Sequence, residues 1–169
     1  MKQGLKAIVA FFCGLLALGC DQQGRLMEEP ALSKLAQGVS TEGDVRNAMG
    51  SPEMVRDSGG GEKVLEYPRG PNGVTTYMFD IGSDGKLRQW RQVLNEEYFH
   101  RVQPGMNMEE VRRLLGKPRS TAQFRMRNEE VWDWLFQEGG TRRLFQVHFD
   151  ITTKTVRGTT MADDPDIRP

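Results

Sequence analysis

Between residue 38 and the C-terminus this chain is written twice, and that repetition limits its folds more than length or composition does. Gly38-Val39-Ser40-Thr41 leads into Asp44-Val45-Arg46-Asn47-Ala48-Met49-Gly50-Ser51-Pro52. Gly105-Met106-Asn107-Met108 leads into Glu110-Val111-Arg112-Arg113-Leu114-Leu115-Gly116-Lys117-Pro118. The common skeleton is acidic-Val-Arg-x-small or Leu-apolar-Gly-x-Pro, with one extra residue in the first copy near Gly43. Phe79-Asp80-Ile81 is answered by Phe149-Asp150-Ile151 in the same order. A period of about 65 residues predicts two copies of one small unit rather than a single larger fold.

Each copy reads as a short helix, a second short helix and an antiparallel meander. Asn107 is placed to cap the second helix, with Glu110 completing a capping box. Val111, Leu114 and Leu115 fall on one face of it. Gly116 stands where a helix ends in a left-handed conformation, and Pro118 prevents continuation. Ser40 or Thr41, Val45, Ala48, Met49, Gly50 and Pro52 repeat the pattern. Tyr98, Phe99 and Val102 mark a preceding helix, with Ala31 to Gln37 as its counterpart.

The strands show a period of two. Trp132, Trp134 and Phe136 share one face, as do Phe145, Val147 and Phe149. Residues 64–67 and 74–79 do similar work, and Gly82-Ser83-Asp84-Gly85 turns the chain into a strand from Lys86 to Val93. The expected class is α+β: two tandem helix-helix-three-stranded antiparallel sheet repeats, residues 31–94 and 95–161, the helices covering one apolar face of each sheet. Residues 20–30 read as a flexible tether and 162–169 as a disordered acidic tail.

Residues 1–19 have another character. Lys2 and Lys6 precede an apolar run, Ala7 to Gly19, that ends in a small residue before Cys20. This is the layout of a secretory signal. With Cys at that place it resembles a bacterial lipoprotein signal, which implies diacylglycerol on the Cys20 thiol, cleavage before Cys20 and acylation of the new amine. The run is shorter than the roughly 20 residues of a spanning helix. An ordinary cleaved signal and an uncleaved anchor are the other readings. Cleavage removes Lys2, Lys6 and Cys13, so two cations and no anions are lost and the net charge moves from zero to about −2. A chain so near neutrality has no global field to attract nucleic acid. Cys20 is then the only cysteine, which excludes disulfide frameworks, thiolate metal sites and a Cys nucleophile.

Gly105-Met106, Val111, Leu114-Leu115-Gly116 and Pro118 resemble the signature of the SmpA/OmlA family, also called BamE-like. Trp132-Asp133-Trp134 and Val147-His148-Phe149-Asp150 continue the likeness, which runs from Tyr98 to Thr160 with a weaker echo over Leu35 to Leu94. The resemblance implies a small non-catalytic outer-membrane lipoprotein with a helix-helix-three-strand fold. Its partners would be a membrane, through the lipid, and subunits of the machinery that folds β-barrels. The chain departs from the family in carrying two units. It also lacks a clear equivalent, before Glu96, of the family's polar segment for lipid and partner contact. Tandem units of this kind resemble β-lactamase inhibitor proteins too, so the alternative is a module gripping another periplasmic protein through its sheet faces. The expected address is the periplasmic side of the outer membrane. Asp21, directly after Cys20, points instead to the inner membrane by the rule of enteric bacteria.

No nucleophile motif, P-loop or metal-binding spacing occurs, and neither an enzyme nor a cofactor is expected. His148 lies opposite the aromatic face, where a structural role outweighs catalysis. His100 reads as a surface residue. Gly59-Gly60-Gly61 reads as a loop tip. The candidate partner-binding residues are Trp132 and Trp134 with Arg125, Arg127, Arg142 and Arg143. The arginines would gather in one basic patch at the sheet edge, with Arg125 and Arg127 on one strand face.

Overall fold

The computed structural model describes residues 30–165. Cys20, the signal and the tether up to residue 29 lie outside the described residues. A 3₁₀ turn, Leu32–Lys34, precedes α1 (Glu42–Met49) and strands β1 (Met54–Gly59), β2 (Glu62–Pro68), β3 (Thr76–Ile81) and β4 (Leu87–Gln92). Then come α2 (Glu96–Phe99), α3 (Met108–Leu115), β5 (Ser120–Phe124), a 3₁₀ turn at Arg125–Arg127, β6 (Glu129–Glu138), β7 (Thr141–Asp150) and β8 (Val156–Asp163). Two antiparallel sheets result, ordered β1-β2-β3-β4 and β5-β6-β7-β8. The class is α+β, as expected.

Each sheet has four strands rather than three. The added members, β1 and β5, are edge strands, and all five residues of β5 are exposed. With no buried face they carry no alternation of apolar and polar residues. The helix expected over 31–37 is the single turn Leu32–Lys34. Residues 162–164, expected in the tail, belong to the fold: β8 pairs through Asp163, and Asp164 is buried beside Arg119 and Arg142.

The two halves share a backbone plan. Thr41 caps α1 and Asn107 caps α3, each closing a capping box with the acid three residues on. Thr41 bridges to Lys86 and Asn107 to Thr155. Gly38 N–H donates to Leu87 O at 2.7 Å, and Gly105 N–H to Val156 O at 2.9 Å. The extra residue of the first copy therefore lies between Gly38 and Thr41, not near Gly43. The Phe-Asp-Ile match is also out of step. Ile81 pairs with Leu87, whereas Phe149 pairs with Val156 and Ile151 lies in the following turn. A slip of two keeps side chains on their face, so the apolar pattern survived while the motif moved.

Alternation along the strands sets the layering. Leu65, Tyr67, Tyr77, Phe79, Ile81 and Leu87 face α1 and the first turn, packing with Leu32, Val45 and Met49. The opposite face presents Val64, Glu66 and Met78 to the second half. There α2 and α3 contribute Phe99, Val111 and Leu115 to a core shared with Trp134, Phe136, Phe145, Val147 and Phe149 of the second sheet. The order of layers is α1, first sheet, α2 with α3, second sheet.

Candidate functional site

The junction of the halves is built on Glu66, whose side chain is fully buried. Its Oε2 accepts from Arg56 at 2.8 Å, and its Oε1 accepts from Arg112 at 3.2 Å and from the Lys117 N–H at 2.6 Å. Gly116 has φ 76° and ψ −163°, a positive-φ extended backbone rather than the left-handed helical cap expected. It lies flat on the first sheet. A Cβ there would stand 2.8 Å from Thr76 Cγ2 and 3.1 Å from Glu66 Oε1. A shallow cleft of about 180 Å³ opens beside this contact, lined by Pro68, Pro71, Leu94, Lys117 and Trp134 among others.

The outer face of the second sheet is a different surface, and no described helix covers it. A hydrogen-bonded ribbon crosses its four strands. Ser120 Oγ donates to Asp133 Oδ2 at 2.9 Å, and Gln146 Nε2 to Asp133 Oδ1 at 2.9 Å. Thr160 Oγ1 donates to Gln146 Oε1 at 3.2 Å and lies 2.8 Å from His148 Nε2, while Nδ1 lies 2.9 Å from Glu129 Oε1. A hydroxyl, an imidazole and a carboxylate in line have the spacing of a nucleophilic triad. The Thr160 hydroxyl has one proton for two neighbours, Gln146 Oε1 and His148 Nε2, and which ring nitrogen donates depends on the tautomer. His148 bridges β6, β7 and β8.

Asp150 organises one end of this sheet. It accepts from the Thr152 and Thr153 N–H groups at 2.8 and 2.9 Å and from Arg157 Nε at 3.1 Å. The Thr153 N–H foremost, joined by Arg157 and the Thr152 N–H, holds its carboxyl down at about 2, together outweighing the burial that pushes it up. At the other end Asp164 meets Arg119 at 3.3 Å and Arg142 at 3.1 Å. Leu135 and Leu144 pair on this face and are buried.

The expected arginine patch does not form. Arg125 and Arg127 lie in a 3₁₀ turn, not on a strand face. Arg142 and Arg143 lie at the far end of the sheet, opposite Gln137 and Phe136. Arg142 turns to Asp164 and Arg143 to Glu138, because neighbours on a strand point to opposite faces. Trp134 is 1% exposed and donates to Gly116 O at 3.2 Å, which makes it core. Trp132 is half-buried against Phe149 and donates to Glu130 at 2.8 Å. Of the signature residues, Val111, Leu115 and Gly116 are buried, Met106, Leu114 and Pro118 are half-buried, and Gly105 takes φ 91° at a turn. Sequence reasoning missed Glu66, since nothing local distinguishes it from an exposed strand acid. Among the described residues no His, Cys, Asp and Glu cluster could hold a metal, and no helix is long and apolar enough to cross a membrane.

A helix stopped by Gly-x-Pro lies on the aromatic face of an antiparallel sheet, which defines an α+β module. Residues 92–158 match the model of the outer membrane protein assembly factor BamE domain. That stretch of the second half is similar to a BamE domain. No curated protein sequence matches the chain. Among solved structures, the osmotically inducible lipoprotein OsmE is 28% identical over 41% of this chain and 72% of its own, with a TM-score of 0.37. A DUF4309 family protein, YjgB of Bacillus subtilis, is 19% identical over 77% of this chain and 82% of its own (TM-score 0.30). A β-lactamase inhibitor protein of Streptococcus mutans is 11% identical over 73% and 83% (TM-score 0.31).

Proposed function

We propose that this chain is a non-catalytic, periplasm-facing lipoprotein, held by acyl chains on Cys20, that supports assembly of outer-membrane proteins or envelope integrity. The observation carrying this reading is the BamE domain at residues 92–158 behind a signal of lipoprotein type. One acyl chain binds a membrane only reversibly, and further chains make attachment lasting. The described part is then a module that acts by contact, residues 31–94 forming a first unit and 95–161 the family domain. The test is co-purification in detergent of the C-terminally tagged chain from its native membranes. Recovery of β-barrel assembly subunits supports the reading. Recovery of a different periplasmic protein moves the weight to a binding module acting on that partner. Density-gradient fractionation of membranes distinguishes the outer from the inner membrane, and Cys20→Ser is expected to leave the membrane fraction while still folding.

A further inference from the structure

Among the described residues four strands lie at sheet edges, β4 and β8 partly covered by residues 38–41 and 105–107, and β5 differs from the other three. Natural sheets guard their edges with charges, bulges or proline, because an open edge is a template for another strand. Among the described residues β1 carries Arg56 and Asp57 and has a register break at Asp57/Gly59. β4 carries Arg88 and Arg91 and breaks at Asp80/Ile81 opposite it. β8 carries Arg157 and Asp163 and breaks at His148/Phe149. β5 reads Ser-Thr-Ala-Gln-Phe, has no charge and pairs with β6 in unbroken register from Ser120↔Asp133 to Phe124↔Glu129. Every residue of it is exposed.

The surroundings of β5 restrict what can pair with it. At its C-terminal end Arg127 stacks over the exposed Phe124 ring at 4.5 Å and meets Glu129 at 3.4 Å while its own side chain stays mostly exposed, beside exposed Arg125 and the fully exposed Met126. A second copy pairing antiparallel about Ala122 would bring Arg125 of each chain toward Arg119 of the other, which already holds Asp164 and offers no carboxylate. A strand with a carboxylate at that end gains an attraction that a second copy lacks.

We propose that β5 is a strand-addition edge for an extended polypeptide segment that is uncharged along its middle and carries carboxylates at the end meeting Arg125 and Arg127. Main-chain hydrogen bonds to β5 supply affinity, and the basic turn sets direction and register. This holds whether or not the chain serves outer-membrane assembly.

The probe is an acetylated, amidated octapeptide that begins with two aspartates and continues in alternating threonine and valine, so that antiparallel pairing brings the aspartates to Arg125 and Arg127; it is added to the ¹⁵N-labelled full chain in detergent micelles. Amide exchange of residues 120–124 is expected to slow, with the other three edges unchanged. Arg125→Glu with Arg127→Glu is expected to weaken this peptide about tenfold and to favour the analogue that begins with two lysines. Ala122→Lys is expected to abolish binding without changing the melting temperature. Protection at another edge, protection nowhere, or equal binding of both peptides by the parent chain would overturn the proposal. So would a dimer that protects β5 without peptide.

Discussion

Gly116 and Gly50 end the capped helices of the two halves in nearly the same backbone conformation, with φ 76° and 86°. Their surroundings differ. A Cβ on Gly50 meets nothing within 4 Å, whereas one on Gly116 runs into the first sheet. Gly50→Ala is expected to cost the backbone strain alone, about 1–3 kcal/mol. Gly116→Ala is expected to cost about 1–2 kcal/mol more, since a packed contact must also give way. Denaturant midpoints of the two variants check this, and equal losses would remove the close approach. The sequence showed both glycines as helix stops, because that signal is local. It did not show the approach at Gly116, which depends on Thr76, Glu66 and Met78 arriving from the other half. Asp150 supports a pH prediction. Its folded value, about 2, lies below the ordinary 3.8, so its stabilisation is complete above pH 3.8 and is lost as pH falls through 2. The stability gap between the parent and Asp150→Asn is expected to be constant near neutrality and to close across that window, which acid titration of the unfolding midpoint would follow.

At the level of elements, helices announced themselves and edge strands did not. The capping box at Asn107 and Glu110 is written within four residues, and the structure shows both of its hydrogen bonds, at 2.9 and 2.8 Å. Asn107→Ala is expected to lower stability by about 1 kcal/mol, and Thr41→Ala by a similar amount. Thermal unfolding of each single variant is the check, and no change in either would mean the caps are idle. Strands β6 and β7 were legible because their aromatic residues alternate. β1 and β5 were silent because a strand exposed on both faces has no reason to alternate, and the expected three-stranded sheets grew a fourth member at that side. The arginine patch failed for a related reason. Ser120–Phe124 was not recognised as the strand preceding Arg125, so that residue and Arg127 were assigned to a strand when they form the turn after it.

For the molecule as a whole, Glu66 joins the halves, with both guanidinium groups and a backbone N–H converging on one carboxylate. Removing one partner of a buried ion pair costs about 3–5 kcal/mol. Glu66→Ala is expected to lose that much and to split a single unfolding transition into two, read by calorimetry. A single transition at nearly the parent temperature would show that the apolar contacts around Met78 suffice. Asp133 holds the position of Glu66 in the second sheet: Glu66 pairs with Met54 and Met78, Asp133 with Ser120 and Gln146. There a glutamine stands where the first sheet has the methionine, and the acid bonds to its own neighbours, so this face is finished against water. The layering also fixes a length. Residue 30 enters beside the first layer, and the finished face is the outer side of the fourth. With roughly 10 Å between packed layers, the two ends are about 30 Å apart. In a chain fastened by lipid at Cys20, that packed thickness would add a fixed length of about 30 Å to whatever reach residues 20–30 allow.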